Sequence, residues 1–443
     1  MQRLTHSRYL LLLTILALAT AAQAFLAGCN REQTHTSPVH VTVWSMWSGD
    51  EERNFEKVLD YYNRNHPGVI LENLGAVDDP KTVRAIVAGA PPDLCTLVDP
   101  SAVGTLAANN ALEPLDDRFR ASGLKESDET PAAIGQGRYR GHLYAIPYLM
   151  DCCALLYNKD VFRSAGLDPN RPPRTIEEME ADCRRITKRD AQGHLTRIGL
   201  RPIEVGDAVM IAMYGGTFVD ENGGRTTITA DAPRNTEAVA AYMHLMDTQG
   251  GYTAVNEFTS GFGNNAGSFN PLFHGDVGMT ISGEWLPYWA YRYSPTTHYD
   301  VAPLPYPAKH PELTGTVWLT DNLFCIPSGA HHPREAWDFL AWTQSPEAQR
   351  MFASSLNNVP NTRDELHDPT LRAGAPWRHY YGRFLDLAES PTASYFPPMP
   401  VATLYQNQIG NAFDSVGYGK KQPADALRAV RVRVQQEMDK YRP

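Results

Sequence analysis

The 443-residue chain lacks the signatures that would force an enzymatic reading. It has no Gly-x-Ser-x-Gly elbow, because Thr280-Ile281-Ser282-Gly283-Glu284 misses the first glycine. There is no His-Glu-x-x-His, and the pair His331-His332 stands before Pro333 with no third metal ligand beside it. Gly417-Tyr418-Gly419-Lys420 has neither the spacing of a phosphate loop nor a Ser or Thr after its lysine. Asp220-Glu221-Asn222-Gly223 matches a calcium loop in composition only and reads as a hairpin turn. No metal and no cofactor is therefore expected. A secreted hydrolase stays open as the alternative class, since sequence alone does not show whether two carboxylates sit at a reactive separation. Basic residues are also short, 40 against 50 acidic, and the net charge of −10 argues against nucleic acid as a partner. Cysteines number six, without zinc-like Cys-x-x-Cys pairs; Cys95, Cys152, Cys153, Cys183 and Cys325 read as buried free thiols and not as a disulfide framework. Internal repeats and low-complexity tracts are absent.

The one long apolar run lies at the start, and nothing after it approaches the length of a membrane span. Arg3 and Arg8, the apolar stretch Tyr9 to Ala22, and Leu26-Ala27-Gly28-Cys29 have the layout of a signal peptide over residues 1–28. Small residues before a cysteine resemble the lipobox of bacterial lipoproteins, which implies cleavage before Cys29 and lipidation of its thiol. An ordinary signal peptide cut after Ala22-Gln23-Ala24, with Cys29 incidental, is the alternative. A two-chain anchor would hold the protein durably at a membrane. Residues 29–37 are polar and aperiodic and read as a tether. Residues 1–28 hold two arginines and no acid, so their removal takes the net charge to −12 and leaves 415 residues, enough for two lobes.

Periodicity then predicts an α/β body. Val39 to Trp44 is a buried strand, Ser48-x-x-Glu51 a capping box, and Phe55, Val58, Leu59 and Tyr62 one helical face. Strands at Val69–Leu74 and Leu94–Val98, with a helix over Lys81–Ala88 between them, imply a parallel sheet. Further on, the sequence predicts a strand at Ala154–Asn158, a helix over Pro172–Lys188 capped by Thr175, and a hairpin from Phe218 to Thr229. A helix over Asn235–Gln249 follows, then strands at Val277–Ile281, Asp300–Ala302 and Leu323–Ile326, and helices over Pro333–Thr343 and Pro423–Met438.

Six segments in order, among them VTVWSMWSGDEERNFEKVLDYYNRNHPGV, GHLYAIPYLMDCCALLYNKDVFRSAGLDP, VGMTISGEW and IPSGAHHPREAWDFLAWTQSPEAQ, resemble family 1 of extracellular solute-binding proteins, the group that includes maltose-binding and glycerol-phosphate-binding proteins of ABC importers. The resemblance implies a two-lobed periplasmic-binding-protein fold with a hinge of crossing strands and a ligand cleft between lobes. It assigns residues 38–149 and 278–326 to lobe one, and 152–275 and 329–443 to lobe two. It further implies an exported protein that hands a small ligand, a mono- or oligosaccharide, to the transmembrane subunits of an ABC permease. Glycerol phosphate or another polar solute is the runner-up.

Sugars present hydroxyls and apolar C–H faces, so carboxylates interleaved with aromatic rings are the expected lining. By position in the family pattern, the candidates are Trp47, Ser48 and Glu51 after the first strand, Asp99 after Leu94–Val98, and Asp151 after Ile146-Pro147 at the crossing. Trp285, in a Gly-x-Trp arrangement, is the expected ring against the ligand. Trp318 and Asn322 occupy a stretch where many relatives carry glycines, and Glu204, Tyr214 and Arg363 are expected to face the cleft from lobe two. Each has a structural alternative: Ser48, Glu51 and Asp99 as helix caps, Asp151 as a hinge hydrogen bond, the tryptophans as packing, and Arg363 as a surface arginine.

Overall fold

The computed structural model describes residues 37–203, 205–222, 225–262 and 269–441. Cys29 and Glu204 lie outside the described residues, as do the signal-peptide and tether assignments apart from Ser37. Among the described residues no helix is long and apolar enough to cross a membrane.

The chain opens as read from its periodicity. Strand β1 (Val39–Trp44) is followed by helix α1 (Gly49–Asn65), strand β2 (Val69–Leu74), helix α2 (Asp79–Val87), strand β3 (Leu94–Leu97) and helix α3 (Ser101–Ala108). The buried face of α1 is Phe55, Val58, Leu59 and Tyr62, as its 3.6-residue period requires. The capping box is not formed: Ser48 occupies the N-cap position but its side chain makes no capping hydrogen bond. Three carboxylates in the first turn, Asp50, Glu51 and Glu52, offset the exposed amides through the helix dipole instead.

Strand β4 (Ala145–Asn158) organises the rest. Sequence signalled only its second half as a strand, because Pro147 and the polar Asp151 interrupt the apolar run of the first. In the structure residues 145–153 pair antiparallel with strand β8 (Val317–Cys325), which itself pairs with β3, whereas residues 154–157 pair with strand β6 (Val277–Ser282) and residues 155–158 with strand β7 (Tyr299–Ala302). Strand β5 (Leu195–Leu200) joins β6 in parallel. The sheet order is thus β2-β1-β3-β8-β4-β6-β5, and β4 changes partner between Cys153 and Ala154. Mixed pairing of this kind gives an α/β, two-lobed fold joined by shared strands.

Two segments take their place from strand partners and ring contacts. Strands β6 and β7 pair with the far half of β4, and β6 also pairs with β5. Helices α7 (Pro333–Thr343) and α8 (Pro346–Leu356), assigned by the resemblance to lobe two, pack on the β1–β3 side. The cause is an aromatic cluster: Tyr62 of α1 meets Phe339 edge-on at 5.0 Å, Phe55 lies 6.1 Å from Phe352, and Tyr148 of β4 stacks on Phe324 of β8 at 4.1 Å. Fully buried rings of this kind supply much of a core's stabilisation.

Beyond α7 and α8 come the helices Arg378–Ala388, Ala402–Gly417 and Pro423–Met438. Gly104 of α3 sits against the backbone that leads into the second of these, and a Cβ added there would lie 2.2 Å from the Met399 nitrogen and 2.5 Å from its Cα. Backbone cannot rotate away as a side chain can. Gly104→Ala should therefore lower stability by roughly 1–3 kcal/mol, the range for overpacking, read as a drop in urea midpoint; Gly68→Ala, whose added Cβ meets nothing within 4 Å, should stay near wild type.

Candidate functional site

Ligands in open α/β sheets bind beyond the carboxyl ends of the strands, where loops can carry polar groups without breaking the ladder. The carboxyl ends of β1, β2 and β3 lead into Ser45–Ser48, Gly75–Asp78 and Val98–Pro100. Those of β5 and β6 lead into Arg201–Asp207 and Gly283–Glu284. Two cavities open among these loops. The first, about 320 Å³, has Asp99, Pro100, Ser101 and Gln136 on one side, Gly206, Asp207, Gln406 and Asn407 on the other, and Trp318 and Thr320 of β8 between them. The second, about 750 Å³, is lined by Met46, Ser48, Asp78, Asp79 and Thr403, and shares Val98 and Asp99 with the first.

Asp99 thus faces both cavities. Its backbone N–H donates to Asp79 Oδ2 at 2.9 Å, and its own Oδ1 accepts the Ser101 N–H at 3.0 Å, one residue ahead of the N-cap position, which Pro100 occupies. Asp79, half-buried, accepts the amides of Val98 and Asp99, yet desolvation raises its carboxyl to about 6. Across the first cavity, burial and the nearby charge of Asp414 push Asp207 up to about 7.

The floor of the cleft is the strand crossing. Asp151 is the one residue of β4 that is not fully buried, and Thr320 the one such residue of β8; they are cross-strand neighbours, and Thr320 lines the first cavity. Asp151 Oδ1 accepts from Asn358 Nδ2 at 2.5 Å and from Asn322 Nδ2 at 3.3 Å. Asn358 also donates to Glu284 Oε1 at 3.0 Å, and Glu284 Oε2 accepts the Cys152 N–H at 2.8 Å. The Asp151 and Glu284 carboxyls are hydrogen-bonded, and since Glu284 is wholly buried while Asp151 keeps an exposed edge, the shared proton belongs to Glu284. Desolvation is the main cause in both: it raises Asp151 to about 6 and Glu284 well above the carboxylate range. Glu51, at the start of α1, is raised by burial and by the charges of Asp151 and Asp50.

The remaining candidates fall in different surroundings. Trp47 is buried and donates its indole N–H to the Tyr148 hydroxyl at 3.1 Å, fixing the loop that presents exposed Ser48. Trp285 begins helix α6 (Trp285–Tyr293), half-buried, with its indole folded back over Gly283 and 6.3 Å from Trp289. Tyr214 is buried at the end of helix Ala208–Met213, and Arg363 is exposed beside a separate cavity of about 480 Å³, its Nε donating to the Glu129 carbonyl at 3.0 Å. The structure therefore gathers Ser48, Asp99 and Trp318 around the two cavities, and Glu51, Asp151 and Asn322 at the crossing, while Tyr214 and Arg363 line neither cavity. Sequence reasoning missed Asp207, Thr320, Gln136, Asn407, Glu284 and Asn358. Asp207 carried a signal, its place in the loop after a buried strand; Glu284 and Asn358 carried none, since only the fold brings them to Asp151.

A family profile described as bacterial extracellular solute-binding protein matches residues 48–350. A protein of Brucella abortus, named only as a binding protein, is 25% identical over 438 residues, 94% of each chain. An sn-glycerol-3-phosphate-binding periplasmic protein of Shigella dysenteriae is 23% identical over 282 residues, 60% of each chain. Among solved structures, a protein with mannotriose bound superposes with a TM-score of 0.78 at 28% identity, covering 89% of this chain and all of that one.

The desolvated carboxyls set a direction for pH. Asp79 and Asp151 rise to about 6, Glu129 and Asp207 to about 7, and Asp321, buried with both carboxyl oxygens unpartnered, goes well above its usual range. Between about pH 4, where these groups titrate when unfolded, and their native values, the folded state binds more protons, so raising the pH favours unfolding. The melting temperature should fall by several degrees from pH 5.5 to pH 8 at constant ionic strength, and Asp321→Asn should make that slope shallower. A melting temperature that rises over this interval contradicts the protonation assignments.

Proposed function

Because the chain belongs to the bacterial extracellular solute-binding proteins, we propose that it is the substrate-binding component of an ABC-type importer whose ligand is an uncharged carbohydrate. The observation that carries the choice of ligand is the chemistry of the two cavities. Their described lining includes Asp78, Asp79, Asp99 and Asp207, the amides of Gln136, Gln406 and Asn407, and the Trp318 ring, with no lysine or arginine. Carboxylates and amides accept and donate to hydroxyls, and an indole covers the apolar face of a pyranose. A phosphate needs cationic donors, so this lining disfavours the glycerol-phosphate alternative despite the existence of such relatives.

In this reading Asp99, Asp207, Ser48 and Asn407 hold hydroxyls from the two sides, and Asp151 with Glu51 meets the ligand at the hinge. Trp318 supports the sugar face, while Trp285 needs only a rotation away from Gly283 to present its indole. Ligand contacts from both lobes then favour the closed state, and a transmembrane permease reads that state. Catalysis forms no part of the proposal. Nor does nucleic acid, given the acidic balance. Export and lipid attachment at Cys29 rest on the sequence motif alone and complete the proposal, placing the protein at the outer face of a cell membrane.

The test is a thermal-shift and calorimetric titration with mannotriose, maltotriose and glycerol 3-phosphate. A ligand at about 100 times its Kd adds about 2.7 kcal/mol to stability. A neutral oligosaccharide should raise the melting temperature, glycerol 3-phosphate should not, and Asp99→Asn, Asp207→Asn and Trp318→Ala should each weaken saccharide binding at least about tenfold, the loss of one good contact. Stabilisation by glycerol 3-phosphate alone would refute the carbohydrate assignment. Hydrolysis of a glycoside would refute the binding-only reading.

A further inference from the structure

The five cysteines among the described residues are all buried thiols, as their sequence context suggested, but two of them are not isolated. Cys95 on β3 and Cys325 on β8 are direct partners in the antiparallel ladder, and their Sγ atoms lie 3.1 Å apart. Each thiol also lies 3.8 Å from the other residue's carbonyl oxygen, so the two side chains project from the same face of the strand pair. Both are fully buried in the cluster formed with Leu97, Val103, Leu106 and Ala145.

From this juxtaposition we infer that Cys95 and Cys325 are a disulfide-forming pair, a covalent staple between the outer sheet and the crossing strand β8. Directly opposed residues on antiparallel strands have Cα separations of roughly 4.5–5.5 Å, inside the roughly 4.4–6.8 Å range that disulfides span. An S–S bond of about 2.05 Å then requires the sulfurs to approach by only about 1 Å. In bond formation the two thiols lose two protons and two electrons; a small-molecule or protein disulfide accepts both and leaves as two thiols. The hydrogen bond with the neighbouring Cys95 thiol, and then burial, raise Cys325 well above the usual thiol range, which suppresses the thiolate that exchange requires. Oxidation therefore belongs to folding, before α3 closes over the pair, and the finished bond is shielded from reductant. The bond closes a loop between residues 230 apart, which restricts the unfolded chain strongly. It fixes β8, and through it Thr320 and Asn322, against β3 and Asp99.

The inference concerns the pair; whether the cell supplies an oxidant rests on the exported location proposed above, and the experiment separates the two. The full chain is refolded with oxidised and reduced glutathione, and a second sample is exported by a bacterial host. Both are alkylated with iodoacetamide in denaturant, before and after reduction, and mapped by mass spectrometry. In the refolded sample Cys95 and Cys325 should stay unmodified until reduced, while Cys152, Cys153 and Cys183 are alkylated at once. Reductant in denaturant, followed by refolding without oxidant, should lower the melting temperature of wild type by several degrees and leave that of Cys95→Ala unchanged. Alkylation of all five without reduction, or a bond between other cysteines, overturns the inference. A bond that forms on refolding but is missing from the exported sample upholds the pair and overturns the location instead.

Discussion

One strand serves two sheets, and most of the molecule follows from it. For residues 145–153 the partner of β4 is β8; from residue 154 onward its partners are β6 and β7. A strand that changes partner cannot be sheltered equally along its length, because the two sheets diverge where the ladder is handed over. The exposed gap falls at Asp151 and its neighbour Thr320, and the side chain that evolution placed there is a carboxylate. That choice creates an electrostatic problem at the hinge. A second carboxyl, Glu284, arrives at the end of β6, and two adjacent buried charges of one sign would cost several kcal/mol. Holding the proton on Glu284 and donating from Asn358 and Asn322 removes the conflict and leaves one anionic acceptor aimed outward.

The same geometry explains which parts of the architecture were legible in the chain. Helix α1 and strands β1 to β3 announce themselves because each buries one face or both, so hydrophobic period and structure coincide. The first half of β4 did not, since Pro147 and Asp151 sit inside it, and the start of β8 did not, since Thr320, Asp321 and Asn322 make it read as a polar loop. Polar residues in the crossing strands break the hydrophobic period, so local pattern fails there. Family resemblance compensated for order and identity, while the position of α7 and α8 is decided by the contacts of Phe339 and Phe352 with rings far away in sequence.

Candidate residues divide along the same line. Asp99 and Ser48 were visible because they follow strands whose ends the period marks. Asp207 sat in an equally informative loop but without a neighbouring motif to single it out. Glu284 and Asn358 became meaningful only beside Asp151, a juxtaposition that spans more than 200 residues in the case of Asn358. Trp47 shows the converse: its placement after the first strand is right for a cleft, yet the buried Tyr148 hydroxyl offers its N–H a partner, and the indole turns inward.

An acidic cleft for an uncharged ligand is physically coherent. Neutral sugars gain nothing from long-range attraction, so specificity has to come from short hydrogen bonds, and a carboxylate is a stronger acceptor for a hydroxyl than an amide or a backbone carbonyl. In the proposed reading the same charges repel anions before contact, which disfavours phosphorylated sugars without any steric selection. Burial raises the proton affinity of these carboxyls, to about 6 at Asp151 and, with the nearby charge of Asp414 adding to it, to about 7 at Asp207. A sugar hydroxyl that donates to one of them favours its charged form and so lowers that affinity again. Ligand capture and proton release at the hinge are thereby linked, and acidification should weaken saccharide binding even though it strengthens the fold.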